Sequence, residues 1–417
     1  MSDGGDYSGD ESEGGWSGDG DGDGDGDGEG DGDGDGDGWG DGDGDGDGDG
    51  EGDGDGDGDG DGDGDGGDGD GDGDGDVDPG QLTAGEWRDL DHWDFWRALF
   101  EEGKWAPLEN RWEFFTRDRI AVAVEDDGYA IADAEVLLLG ADQTPLWSAR
   151  TDNEGRAELF PGLFGGDESG PFTVVVDAGD ASAEVQAEPT GAGDPILVEL
   201  DGAVQPPDAL DLMFVIDTTS SMKDELSYIQ AELADVISRV QQETEQDLDL
   251  RLSVNFYRDT SDAYTVRSFP FTTDVNEAVQ QIGAQSAAGG GDYEEAVELG
   301  LADAVYGHLW SQSARARLLF LVLDAPPHHT PAIVGDLQET VRDAADMGIR
   351  IIPLTASGTD KDTEFLMRFM DVSTGGTYTF LTDHSGIGGN HIEPTIGEYQ
   401  VEYLNDLIVR VVSESVQ

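Results

Sequence analysis

Residues 210–217 read Leu-Asp-Leu-Met-Phe-Val-Ile-Asp, an apolar run of strand-forming residues that stops at an acid. Such a run predicts a strand buried on both faces. Leu226, Ile229, Leu233, Val236 and Val240 then recur at helical spacing. The segment Leu250-Arg-Leu-Ser-Val-Asn-Phe-Tyr257 predicts another strand, with Val266 to Phe271 as its hairpin partner. Further strands are expected at 318–323 and 349–354. Helices are expected near 275–284, 292–306, 333–346 and 361–371, with a last amphipathic one near 396–415. Alternating strands and helices imply crossover connections, hence an α/β fold with a doubly wound, mostly parallel sheet.

Upstream the pattern changes to β. Residues 120–124, 135–139, 157–160, 172–176, 183–187 and 196–200 are six short strands separated by turn signals such as Asp126-Asp127-Gly128. That spacing predicts an all-β sandwich. Before it, Trp87, Trp93, Trp96, Trp105 and Trp112 crowd one stretch, in which Trp87, Leu90, Trp96, Leu99 and Phe100 allow a short helix. This much aromatic surface must be buried. A strap packed on a neighbouring domain is the favoured reading over a carbohydrate-stacking platform. The expected organisation is a tail at 1–78, a strap at 79–114, a sandwich at 115–202, a stiff linker at 203–208 and the α/β domain at 209–417.

The chemistry sits where the apolar runs end. Asp217 is followed by hydroxyls at Thr219 and Ser221, and the run ending at Leu323 leads into Asp324. Acids at the carboxyl ends of parallel strands fall where open α/β sheets place their ligands. Hard oxygen ligands on a tight loop suit Mg²⁺. Asp217 alone could be a helix N-cap, but spaced motifs converging on one sheet edge make that the weaker reading.

Asp217-x-Thr219-x-Ser221, the segment Gly289-Gly-Gly-Asp292 and Leu323-Asp324 resemble, in order, the motifs of the von Willebrand factor A domain and its metal-ion-dependent adhesion site. The resemblance covers roughly residues 208–417, with threonine at 219 in place of the usual serine. It implies a metal set of Asp217, Thr219, Ser221, Asp292 and Asp324. It also implies Mg²⁺ or Mn²⁺ as the ion and a carboxylate-bearing protein as the partner. Thr151 to Ala157, with Phe160-Pro161-Gly162, is similar to the carboxypeptidase-regulatory-like, immunoglobulin-like modules of bacterial surface proteins. That resemblance implies a spacer or accessory binding module.

Composition adds limits. The chain has 417 residues, no cysteine and a formal net charge of −76. Residues 1–78 contain 34 acids and no base, which leaves 62 acids against 20 bases in the remainder. Only Lys104, Lys223 and Lys361 are lysines. An acid-rich, lysine-poor surface fits a protein in high salt, where screening removes self-repulsion; a coding bias towards arginine is the alternative. Nucleic acid is not an expected partner, because its phosphates would be repelled. The absence of cysteine excludes disulfides and thiolate chemistry.

Residues 19–76 are almost pure Asp-Gly repeat and are expected to be disordered, because they have no apolar surface to bury. Asp57-x-Asp59-x-Asp61-Gly62 with Asp68 fits a calcium-loop spacing, but in such a repeat the match follows from composition. Weak, collective Ca²⁺ association is the better expectation. No apolar stretch reaches the roughly 20 residues that span a bilayer. No signal peptide is visible at Met1-Ser-Asp-Gly-Gly-Asp. The layout of spacer and binding modules still favours a cell-surface or secreted setting, with a cytoplasmic one as the alternative.

His328, His329, His384 and His391 lie near the expected site, yet no nucleophile elbow and no His-Glu-x-x-His zinc signature occurs. They read as loop or rim residues. The expected function is non-enzymatic, metal-dependent protein binding. The alternatives are an envelope scaffold with a stabilising metal, or a cation-buffering surface protein.

Overall fold

The structure is a computed structural model that describes residues 77–101, 103–166, 169–202, 206–244 and 248–417, all within one compact unit. The expected tail, apart from Val77 and Asp78, and residues 203–205 of the expected linker lie outside the described residues.

The chain opens with strand β1 (Thr83–Trp87) and helices α1 (Trp93–Glu101) and α2 (Ala106–Trp112). A β region follows, comprising β2 (Ile120–Asp126), β3 (Tyr129–Ala130), β4 (Glu135–Leu139), β5 (Pro145–Arg150), β6 (Arg156–Leu159), β7 (Phe172–Ala178), β8 (Ala181–Ala187) and β9 (Ile196–Glu199). The α/β part starts with β10 (Ala209–Asp217), α3 (Leu226–Thr244), β11 (Asp249–Tyr257), β12 (Val266–Arg267), α4 (Val275–Gly283) and α5 (Val297–Tyr306). It ends with β13 (Ala316–Leu323), α6 (Pro331–Asp346), β14 (Ile349–Thr355), α7 (Lys361–Thr374), β15 (Tyr378–Leu381), β16 (Glu402–Tyr403) and α8 (Leu404–Glu414).

The large sheet runs β12-β11-β10-β13-β14-β15-β1-β16. Its five central strands are parallel, while β12, β1 and β16 pair antiparallel. Every residue of β13, and every residue of β10 after Ala209, is buried. Their apolar runs Leu212–Ile216 and Leu318–Leu323 follow from cover on both faces. Leu212, Phe214 and Ile216 join a core with Ile229 and Leu233 of α3 and Leu407 and Ile408 of α8. Met213 and Val215 point to the opposite core, with Leu301 of α5 and Phe365 and Phe369 of α7.

That second core continues into the β region, whose two four-stranded sheets place Val122, Leu159, Val136 and Val174 in the same cluster. The sheets contain the six expected strands together with β3 and β5. Arg317 of β13 reaches back to Asp133 at 2.8 Å, tying the two parts by a buried ion pair.

The aromatic stretch differs from its expectation in one respect. Residues 83–87 form a strand, and the helix begins only at Trp93. Gly85 explains the choice, because a Cβ there would lie 2.6 Å from the Phe380 ring. Glycine in a strand commonly marks such a close approach. β1 sits between β15 and β16, so the α/β sheet uses residues from before the β region as well as from 209 onward, and β2 to β9 form an insertion within it. The tryptophans then pack as a strap: Trp96 lies 5.5 Å from Phe369 and 6.1 Å from Phe365, and Trp105 stacks on Phe365 at 4.9 Å. Each pair adds about 0.5–1.5 kcal/mol beyond burial. Two helices are shorter than expected. α5 starts at Val297 because Glu295 bridges to Pro327, and α8 starts at Leu404 because Glu402 and Tyr403 pair with β1.

Candidate metal centre

β10 and β13 are neighbours, yet β10 connects first to β11 on its other side. The strand order therefore reverses between β10 and β13, which is where open α/β sheets form their ligand crevice. Asp217 is the last residue of β10, and Asp324 follows β13 directly.

At Asp217 the chain turns back on its own carboxylate. Thr219 donates to Asp217 Oδ1 from its backbone N–H at 2.8 Å and from its hydroxyl at 2.7 Å. The Thr219 hydroxyl lies 3.1 Å from that of Ser221. Thr218 fixes the turn by donating its N–H to Tyr257 O at 3.0 Å. Asp217 and Thr219 are fully buried, whereas Ser221 is exposed. Acid and hydroxyls thus form one floor with an outlet to solvent.

The glycine loop completes that floor. Gly289 and Gly290 have φ of +87° and +72°, a region that favours glycine. A Cβ on Gly289 would come within 2.2 Å of Asp262 Oδ1, and one on Gly290 within 2.9 Å of Glu295 Oε1. Gly290 donates to Asp262 Oδ2 at 2.8 Å, and Ser220 Oγ donates to Gly289 O at 2.7 Å. Glu295 is thereby held beside Thr219, with 2% of its surface exposed.

Three acids here are under electrostatic pressure. Burial, then the charge of Asp324, pushes Asp217 up to about 7 against the hydrogen bonds from Thr219. Burial pushes Asp324 up to about 6, with Ser221 opposing and Glu225 adding to the rise. Burial pushes Glu295 up to about 9, followed by the charges of Asp217, Asp259, Asp324 and Asp262. Asp217 Oδ2, Asp324 Oδ1 and Glu295 Oε2 are buried without a hydrogen-bond partner among the described residues. Orphaned, mutually repelling carboxyl oxygens beside two hydroxyls fit a hard divalent cation, which would satisfy the lone pairs and reverse the shifts.

Of the five residues expected from sequence, the structure gathers Asp217, Thr219, Ser221 and Asp324. It places exposed Asp292 beside buried Asp259 and half-buried His328, where one ligand atom from each lies within 4.8 Å of the others. Glu295, three residues further on, is the acid that shares the buried site. Sequence reading passed over it because a glutamate next to a helix start is unremarkable. Its only signal is the run of glycines before it.

The histidines sort by partner. His328 Nε2 lies 3.1 Å from Asp259 Oδ1, and His329 Nε2 lies 2.7 Å from Arg111 O on the strap. His391 bridges Glu225 Oε1 at 2.9 Å and Asp383 Oδ1 at 2.8 Å. Burial opposes protonation of His391, but the two acids prevail and raise its pKa.

No curated protein matches the chain. A family comparison matches residues 211–386, from β10 through the Asp383 turn, to the family described as von Willebrand factor A domain. The matched span contains Asp217, Thr219, Ser221, Asp292, Glu295 and Asp324 together with the five parallel strands that position them. Residues 211–386 are thus similar to the von Willebrand factor A domain family.

Proposed function

We propose that this protein is a non-enzymatic binding protein that captures a partner's carboxylate through a divalent cation at the Asp217 site. The observation that carries this reading is the set of orphaned oxygens on Asp217, Asp324 and Glu295 at the strand-order reversal. Asp217 and Asp324 would hold the ion from the buried side, with Thr219 and Ser221 adding hydroxyl oxygens and Glu295 adding negative charge nearby. When bound, Mg²⁺ or Mn²⁺ supplies a Lewis-acidic point for an oxygen of the partner. Thr219 keeps one Asp217 oxygen oriented, and the buried floor excludes water from the acids. Ser221 is exposed, so the open side of the site is the side a partner can approach.

We read the β region as an immunoglobulin-like spacer, in keeping with its two sheets. Among the described residues no helix is long and apolar enough to cross a membrane. The test is capture of short peptides that differ only in bearing Glu or Gln, using protein loaded with Mg²⁺. Capture should require the Glu side chain, vanish with a chelator and vanish in Asp217→Ala. Equal capture of both peptides, or capture unchanged by the chelator, would reject the reading.

A further inference from the structure

We propose that Asp259, Asp292 and His328 form a second cation site, distinct from the Asp217 site and suited to Mn²⁺ or Zn²⁺ rather than Mg²⁺. The three come from separate loops at the same sheet edge. Asp259 lies two residues beyond β11, Asp292 in the glycine loop before α5, and His328 four residues after Asp324. Those loops are fastened to one another. Glu295 N–H donates to Pro326 O at 3.0 Å, which sets the Asp292 loop against the His328 loop. Asp262 accepts from Gly290 N–H at 2.8 Å and from Asp259 N–H at 3.3 Å, which sets the Asp292 loop against the Asp259 turn. His329, hydrogen-bonded to Arg111 O, anchors the histidine loop to the strap.

The ligand atoms are already near coordinating separation. All lie within 4.8 Å of one another, and His328 Nε2 to Asp259 Oδ1 is 3.1 Å. Metal bonds of about 2.1 Å put ligand atoms at most about 4.2 Å apart, so a small rotation of the exposed Asp292 closes the set. A second observation points to a missing positive charge. Glu298, on the first turn of α5, is 6% exposed and has an orphaned Oε2. Burial raises its pKa, the positive charge of His328 opposes that rise and Asp259 adds to it.

The donor set decides the ion. Imidazole with carboxylates suits Zn²⁺ and Mn²⁺, whereas the all-oxygen Asp217 site suits Mg²⁺. The two centres share none of the three ligands, so the second stands or falls independently of the function proposed above.

The test loads the full chain with Mn²⁺ and measures ¹⁴N hyperfine coupling by pulsed electron paramagnetic resonance. The Asp-Gly repeat contains no histidine, so Mn²⁺ held there gives no imidazole coupling. The expected result is one imidazole-coupled Mn²⁺ per chain, lost in His328→Gln and in Asp292→Asn but retained in Asp217→Asn. Asp292 is exposed, so its amide variant keeps the fold if His328→Gln does not. Absence of imidazole coupling in the parent, or coupling that survives Asp292→Asn and a folded His328→Gln, would overturn the proposal and leave His328 and Asp259 as a plain ion pair.

Discussion

Thr219 donates twice to the same oxygen of Asp217, from its backbone and from its hydroxyl, and leaves the other oxygen of that buried carboxylate bare. The pair therefore orients an acid without neutralising it. Thr219→Val should remove the hydroxyl donor and a metal ligand together, lowering Mg²⁺ affinity about tenfold or more, while Thr219→Ser should retain it. Titration calorimetry on both variants checks this. Loss of one neutral-to-charged hydrogen bond, worth about 1.5–3 kcal/mol, is of the right size.

The raised acids give the metal effect a pH dependence. Asp217 at about 7, Asp324 at about 6 and Glu295 at about 9 all lie above ordinary carboxyl values in the metal-free fold. A group raised on folding favours the fold below its unfolded pKa, and that contribution is lost as pH rises through the folded pKa. Metal-free protein should therefore lose stability from about pH 4 to about pH 9 through these groups. Mg²⁺, which favours the ionised acids, should raise Tm more at pH 8 than at pH 5. Thermal melts with and without Mg²⁺ at the two pH values measure the difference. An equal shift at both would argue against a cation held among these acids.

Arg368 and Asp89 form a fully buried pair at 2.8 Å that joins the strap to α7. Removing one partner of a buried pair costs about 3–5 kcal/mol, while replacing both with apolar residues often costs little. Asp89→Ala should therefore lower stability by about 3 kcal/mol or more, but Asp89→Leu with Arg368→Met should recover little of it, because buried Glu364 would lose its Arg368 partner and Trp87 Nε1 its acceptor. Denaturant unfolding of the three proteins tests the claim.

Because β1 lies between β15 and β16, a fragment limited to residues 209–417 lacks an interior strand of its sheet. The exposed edge of β15 would invite intermolecular pairing. That fragment should aggregate or melt well below residues 77–417, which size-exclusion chromatography and thermal melts would reveal. A fragment 209–417 with the Tm of the longer one would contradict the placement of β1.

Much of this arrangement is legible in the sequence where burial is total. β10 and β13 announce themselves because both faces are covered and Leu212–Ile216 and Leu318–Leu323 are apolar throughout. Asp217, Thr219, Ser221 and Asp324 follow directly from those strand ends. β1 is not legible: Ala84, Gly85 and Glu86 carry weak strand propensity, and the partners that order them lie almost 300 residues away in β15. The acids of the glycine loop are equally hard to separate. Asp292 and Glu295 are three residues apart, and the Glu295–Pro327 bridge fixes the backbone at the one that is buried. A contact between loops distant in sequence leaves no local pattern to read.

The most direct measurement is calorimetric titration of Mg²⁺ into residues 77–417, beside Asp217→Ala and Asp324→Ala of the same length. A saturable Mg²⁺ site is expected in the parent, missing from both variants and kept in His328→Gln. Mg²⁺ binding that is absent from the parent, or that persists unchanged in Asp217→Ala, would contradict it.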